Sequence, residues 1–328
     1  MTRSPRSRHP PKVTTHAIHV RPPYRLDLTV TALRRTVTNV VDVYTPDGRY
    51  LRALNGRTGA VIVSVTQPRR DALVVTVSGD PIEAAPALAN VRRMLGTERD
   101  VSSFHRHART VAWLAPLARR LRGIRPPRYP SLFEACANSI LFQQVSLVAA
   151  GAIMRRMLLA LGTEVEHDGV PLIVFPSAET FLGAKDTLLR AAGLSANKIA
   201  TLRRAAEAIV SGALSEEVLE EQSSDEAAVL LQEIKGIGPW TAAVILLRGL
   251  GRIDVFPGND SGVAANATLI AGQLVNLYHL VEQLGPQRGM LYFCLLLARL
   301  DTRGEIGRAS DVASRDCTTC VEPLTNPT

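Results

Sequence analysis

Cysteine is scarce in this chain: four in 328 residues. That is too few for a disulfide framework. Cys136 and Cys294 lie in apolar helical runs and read as small core hydrophobes. Cys317 and Cys320 form a C-x-x-C in a polar tail with no second pair. A zinc or iron–sulfur site needs four ligands, so no metal centre is expected there. Long apolar runs are also missing. The longest, residues 291–298, falls well short of the ~20 residues of a membrane span. The first sixteen residues hold charge and proline without an apolar stretch, so no secretory signal is expected. No internal repeat is visible. These absences point to a cytoplasmic protein, in solution or on the nucleoid, with no membrane contact.

The composition is ordinary for a globular chain, with 46% hydrophobic and 21% charged residues. A wholly disordered or fibrous chain is thereby excluded. The length suggests two domains. The charge balance is informative: 38 Lys and Arg against 30 Asp and Glu leave a net charge of +8, with a pI near 9.7. Such a protein usually faces a polyanion, most often nucleic acid. Half of the excess sits in Arg3, Arg6, Arg8 and Lys12. Residues 1–16 therefore read as a disordered basic arm, either a solvated tail or a weak phosphate contact.

Residues 17–100 read as a compact α+β unit. Strand patterns occupy residues 17–20, 26–33, 42–54, 60–65 and 73–77, with Asp47-Gly48 marking a hairpin. A short helix is expected over 32–40 and another over 81–96. From about residue 105 to 300 the period is helical. Helices are expected over 111–122 and over 132–161, the latter bent near Gln143-Gln144. A helix capped by Ser177 follows, then helices over 186–193, 196–212, 225–235, 239–250, 261–284 and 286–300. Residues 301–328 read as a flexible tail.

The informative stretch is Leu230-Leu231-Gln232-Glu233-Ile234-Lys235-Gly236-Ile237-Gly238-Pro239-Trp240-Thr241-Ala242. A helix runs into Gly-Ile-Gly, and proline opens the next helix. Gly236 allows the tight turn, Ile237 is its apolar plug, and Gly238 clears space for a partner. Pro239 is preorganised for a helix start. Backbone N–H groups at the turn, with the positive end of the helix dipole behind them, make a phosphate site that ignores base sequence. Lys235 adds a cation beside it. A plain αα-turn is the alternative reading.

This segment resembles the helix-hairpin-helix (HhH-GPD) DNA glycosylases, and among them the alkylation-repair 3-methyladenine glycosylase II branch. The resemblance includes Phe133-Glu134 through Gln143-Gln144-Val145-Ser146, then Phe175-Pro176, Gly193-Leu194-Ser195 with Lys198, and Asp254-Val255-Phe256-Pro257 leading to Asp260. It implies a TATA-binding-protein-like antiparallel sheet with helices, followed by an all-α glycosylase domain. It makes Asp260 catalytic. The other reading of Asp260 is a helix N-cap, and both can hold. A carboxylate at a helix N-terminus stays ionised, and an anion stabilises the oxocarbenium-like sugar left when a base departs. Bifunctional members carry a Lys nucleophile at the position of Trp240. Trp cannot form a Schiff base, so a monofunctional enzyme using water is expected. Trp240 would line the base pocket, unless it serves helix packing. Gln143 and Gln144 would reach the DNA gap, with helix–helix hydrogen bonding as the alternative. Ser146, Lys235, Gly236, Gly238 and Thr241 complete the expected DNA-binding set. The resemblance further implies a monovalent cation, Na⁺ or K⁺, on the main-chain carbonyls of Gln232, Ile234 and Ile237.

Two departures matter. The aromatic cleft positions of the alkylation-repair relatives fall at Ala32, Val244 and Leu296 here, and only 5% of residues are aromatic. These three are nevertheless expected, with Trp240, to line the base pocket. The four-Cys cluster of adenine-mismatch enzymes is absent, so no iron–sulfur cluster is expected. The expected function is excision of 3-methyladenine or 7-methylguanine from double-stranded DNA, with no cofactor for catalysis and no obligate protein partner. The alternatives are a glycosylase for another damaged base and a catalytically silent DNA-binding module.

Overall fold

The computed structural model describes residues 12–258 and 261–306. An antiparallel five-stranded sheet comes first: β1 (Lys12–His19), β2 (Val43–Tyr44), β3 (Tyr50–Asn55), β4 (Ala60–Arg69) and β5 (Ala72–Gly79), in the order β1-β5-β4-β3-β2. Asp47-Gly48 does sit between β2 and β3, with Gly48 at φ 85°. Lys12 to His16, expected in the basic arm, are instead the first half of β1. They pair with β5 from Gly79 to Val75. This pairing satisfies the N–H and C=O groups that would otherwise line an open edge of β5. The other arm residues lie outside the described segments.

Residues 26–33 form a helix, not a strand. This helix, α1 (Leu26–Arg34), lies between two cores. Leu26, Val30 and Leu33 join the core beneath the sheet, whereas Leu28 and Ala32 join a second one. Its apolar Leu26, Leu28, Val30 and Ala32 alternate with Asp27, Thr29 and Thr31, which is the period of a strand. The expected helix over 32–40 reduces to the last turn of α1 followed by turns. The next helix, α2 (Ala84–Met94), covers the sheet through Ala87, Val91 and Met94.

The helical part comprises α3 (Ser102–Ala108), α4 (Leu114–Arg120), α5 (Leu132–Leu141), α6 (Leu147–Leu161), α7 (Ala178–Gly183), α8 (Asp186–Ala191), α9 (Ala196–Val210), α10 (Glu216–Glu220), α11 (Ser224–Gln232), α12 (Pro239–Ile245), α13 (Ser261–Ala271), α14 (Leu277–Gln283) and α15 (Met290–Asp301). A π-helical turn, Leu246–Leu250, extends α12. Among the described residues no helix is long and apolar enough to cross a membrane. The architecture is thus an N-terminal antiparallel sheet followed by a helical domain. The latter also holds a hairpin that the sequence reading missed: β6 (Thr163–His167) and β7 (Val170–Val174), turning at Asp168-Gly169 with φ 50° and 74°. Such a two-residue turn with both φ positive suits a hairpin. Leu172 and Val174 of β7 cover Leu51 and Ala53 on the outer face of β3.

The sheet and the helices share one hydrophobic core, running from Ile18 and Val63 through Phe133 and Ile140 to Leu202 and Leu231. Two buried arginines stitch them further. Arg52, on the inner face of β3, donates to Asp42 at 2.6 Å and to Glu134 of α5 at 2.5 Å. The Tyr50 hydroxyl donates to the same Asp42 at 2.7 Å. Arg248, fully buried on the π-turn, donates to the carbonyls of Ala32 and Leu33, both at 2.9 Å. It thus places a cation at the negative end of α1. The rings of Tyr129 and Phe293 flank its guanidinium at 4.8 and 5.6 Å. Without a carboxylate at its side, burial lowers its pKa.

Candidate functional site

The turn between α11 and α12 has the form that its glycines imply. Gly236 adopts φ 104°, a backbone that side chains resist. A Cβ there would lie 2.1 Å from Thr201 Oγ1 of α9. Gly238 is different. It is extended, and a Cβ on it would meet nothing within 4 Å. Its missing side chain therefore leaves open surface. Ile237 is buried as the plug, while Lys235, Gly236, Gly238 and Pro239 are exposed. Arg204 of α9 braces the turn by donating to the Lys235 carbonyl at 3.1 Å.

Facing it is the turn between α5 and α6. The Gln143-Gln144 pair lies in this turn and not inside a helix. Gln144 is exposed in a left-handed conformation, φ 54°. Gln143 turns inward: its Nε2 donates to Thr241 Oγ1 at 2.6 Å and to the Gly236 carbonyl at 3.1 Å. Its amide therefore joins the two turns, and Thr241, nearly fully buried, is a brace rather than an exposed contact. Ser146 caps α6 by accepting from the Ala149 N–H at 3.2 Å. Lys198 of α9 donates to the carbonyls of Leu141 and Gln143 at 2.7 and 3.1 Å, closing the end of α5. Partial burial lowers its pKa.

Between the turns and α15 opens a cleft of about 1000 Å³. That is at the upper end of ligand-site volumes of roughly 300–1,000 Å³. Trp240 and Leu296 line it, as do Gln143, Gln144, Ser146, Gly236, Gly238 and Thr241. Ala32 and Val244 do not. Both are fully buried, Ala32 in the second core, so neither is a pocket wall. The cleft also holds residues that the sequence reading missed. Tyr292 and Phe142 supply aromatic faces, and Arg35 and Arg299 supply charge beside Lys198, which the resemblance already includes. No carboxylate lines the cleft among the described residues. Arg35 is 3% exposed, donates to the Tyr292 hydroxyl at 2.6 Å and to the Asn138 carbonyl at 3.2 Å, and stacks over Phe142 at 4.7 Å. Arg35 and Tyr292 are 257 positions apart, and Tyr292 sits in an apolar helix, so no local pattern marks the pair.

Gly262 and Val263, in the first turn of α13, line the same cleft, and Asn266 ties α13 to α15 by donating to the Leu295 carbonyl at 2.6 Å. Asp260 lies outside the described residues, as do Cys317 and Cys320. Asp254 accepts from Ser224 Oγ at 2.5 Å and so braces the loop. Among the described residues no group of three or more His, Cys, Asp or Glu could hold a metal.

Comparison with known proteins matches residues 15–131 to the AlkA N-terminal domain and residues 137–275 to the HhH-GPD superfamily base excision DNA repair protein family. A DNA-3-methyladenine glycosylase of Bacillus subtilis is 32% identical over 166 residues, covering 51% of this chain and 55% of that protein. DNA-3-methyladenine glycosylase 2 of Escherichia coli is 28% identical over 229 residues, 69% of this chain and 77% of that one. The chain spans about half the length of the other curated relatives it matches. The solved 3-methyladenine DNA glycosylase of Archaeoglobus fulgidus superposes with a TM-score of 0.71 at 28% identity, covering 88% of this chain and 99% of that one.

Proposed function

Because residues 137–275 belong to the HhH-GPD superfamily of base excision DNA repair proteins, behind an AlkA N-terminal domain at residues 15–131, we propose that this protein is a monofunctional DNA glycosylase. Its substrates are alkylated purines of the 3-methyladenine and 7-methylguanine class in duplex DNA. One observation carries the reading: the Gly236–Gly238 turn stands at the lip of a cleft walled by Trp240, Phe142 and Tyr292 and, among the described residues, by cations without carboxylates.

The turn's N–H groups hold a backbone phosphate. The damaged nucleotide rotates out of the stack into the cleft, where its base lies against aromatic faces. Gln144, exposed on its left-handed turn, enters the gap left in the duplex. The N-glycosidic bond breaks, and its electron pair leaves with the cationic base, which departs neutral. The carboxylate of Asp260 stabilises the oxocarbenium-like sugar and accepts a proton from the attacking water, whose oxygen bonds to the sugar carbon. The products are free base and an abasic site. No general acid is required for a base that already carries positive charge.

A sodium or potassium ion on the carbonyls of Gln232, Ile234 and Ile237 belongs to the same proposal. Neutral oxygens suit an alkali cation, and the Ile234 carbonyl, which accepts the Ile237 N–H at 2.9 Å, keeps a second lone pair. The ion would add positive charge beside the phosphate.

The test is single-turnover excision from methylated duplex DNA. Asp260→Asn is expected to lower the rate ~10²-fold or more, in line with loss of a positioned acid–base or electrostatic group. Its DNA affinity should stay, because the turn contacts phosphate independently. Near-normal excision by the variant would remove Asp260 from the mechanism.

The Arg35–Tyr292 contact favours a second reading, excision of a neutral damaged base. The Tyr292 oxygen accepts from Arg35, which leaves its own O–H to donate to a departing base. Deoxyinosine in a duplex would then be a substrate, and Tyr292→Phe would slow that excision while sparing methylated DNA.

A further inference from the structure

Away from the cleft, two adjoining cavities of about 240 and 370 Å³ open beside α3 and α4. They have His105, Arg109 and Arg122 in common, and share no lining residue with the cleft. Arg21, Arg106 and Arg125 add to the first cavity and Arg119 to the second. Arg106, Arg109, Arg119 and Arg122 are exposed, and none of them has a carboxylate within ion-pair distance among the described residues.

Arg125 is the distinctive member. It is 5% exposed, yet its guanidinium has no carboxylate partner among the described residues: it donates to the carbonyls of Ile124 at 3.2 Å and Arg21 at 2.8 Å and lies over the Tyr24 ring at 5.6 Å. Its Nε has no hydrogen-bond partner. Among the described residues the lone acid in either wall is Asp100, already engaged by Ser102 N and Oγ at 2.9 and 3.0 Å and by Arg21 at 3.7 Å. Burial and the cations Arg122, Arg125 and Arg109 push His105 below its ordinary pKa. Burial is the larger cause, and the neighbouring guanidinium groups act in the same direction.

Like charges gathered around a concavity repel one another, and burial of one raises the cost. A bound anion removes both penalties. Guanidinium groups pair bidentately with phosphate oxygens, more favourably than with chloride or a lone water. We propose that these joined cavities form a phosphate-binding site, distinct from the turn at Gly236–Gly238. The phosphate comes either from a free phosphate ion or from the backbone of DNA running beyond the cleft. The second source rests on the function proposed above.

The experiment uses the full chain and the exposed pair Arg109→Gln/Arg122→Gln. Inorganic phosphate is titrated at constant ionic strength against chloride, with binding read from calorimetry and from the rise in melting temperature. Undamaged duplexes of 12 and 40 base pairs are titrated in parallel over a range of salt. The native chain is expected to bind phosphate saturably, and the double variant to lose that binding. If DNA is the source, the variant also lowers the slope of log K against log salt by about 2 on the long duplex and leaves the short one unchanged. An unchanged slope with lost phosphate binding assigns the site to free phosphate. Absence of saturable phosphate binding by the native chain, together with equal slopes for both proteins on both duplexes, overturns the site. Arg106→Gln alone, at the rim, repeats the comparison should the double variant melt early. Excision of methylated DNA is scored separately, so a protein that binds phosphate without excising bases keeps this site and loses the glycosylase reading.

Discussion

Under the proposed function, Trp240 decides between two outcomes for the DNA strand. An amine at this position could attack the sugar and carry the reaction on to strand cleavage, but an indole has no such nucleophile. Treatment of the protein and methylated DNA with borohydride should therefore trap no covalent adduct, and strands should break only after added alkali or heat. A trapped adduct would identify another amine as the nucleophile and displace water from the mechanism. Trp240 was legible because its position is fixed by the adjacent Gly-Ile-Gly-Pro string. Arg35 and Tyr292 were not, because their meeting depends on tertiary packing alone. Gln143 lies between these cases. Its place beside the cleft was readable and so, as the alternative to a DNA contact, was hydrogen bonding to a neighbouring element, but its partners Thr241 and the Gly236 carbonyl were not.

At the level of the elements, the two glycines of the α11–α12 turn should separate folding from binding. Gly236→Ala meets both a left-handed backbone and Thr201 Oγ1 at 2.1 Å. It should destabilise the protein by about 1–3 kcal/mol, read from denaturant unfolding. Gly238→Ala finds open space and an ordinary backbone, so its melting should match the native chain. Its affinity for duplex DNA should nonetheless fall, since the new methyl group stands where the backbone approaches. Equal affinity for this variant and the native chain would place the DNA elsewhere. This turn was readable because its conformation follows from local chain chemistry. The bend at Gln143-Gln144, the Ser177 cap and the Asp47-Gly48 hairpin were readable for the same reason. By contrast, α1 was read as a strand because its Leu26, Leu28, Val30 and Ala32 face two cores. The hairpin β6–β7 hid behind Pro171 and its charged first strand, although Asp168-Gly169 marked the turn.

Across the whole molecule, the cluster of Arg52, Asp42 and Glu134 links sheet to helices where water is excluded. Removing the cation, as in Arg52→Met, leaves two buried carboxyls facing each other and should cost about 3–5 kcal/mol. Burial pushes the Glu134 carboxyl from its ordinary 4.5 up to about 7, against the attraction of Arg52. Between those values the folded chain binds the proton that the unfolded chain has released. The contribution of Glu134 to stability is therefore fully present below about 4.5 and is lost as pH rises through about 7. Denaturant midpoints should show this decline, and Glu134→Gln should flatten it. A decline of the same steepness in the variant would assign it to another group. The continuous core beneath these residues also bears on inheritance. A recombination event that splits the gene between the codons for residues 79 and 131 takes Arg52 from one parent and Glu134 from the other. Each daughter then inherits half of a jigsaw cut by a different hand. Viable chimeras are expected to carry matched pairs of residues across that seam, so the two halves must descend together.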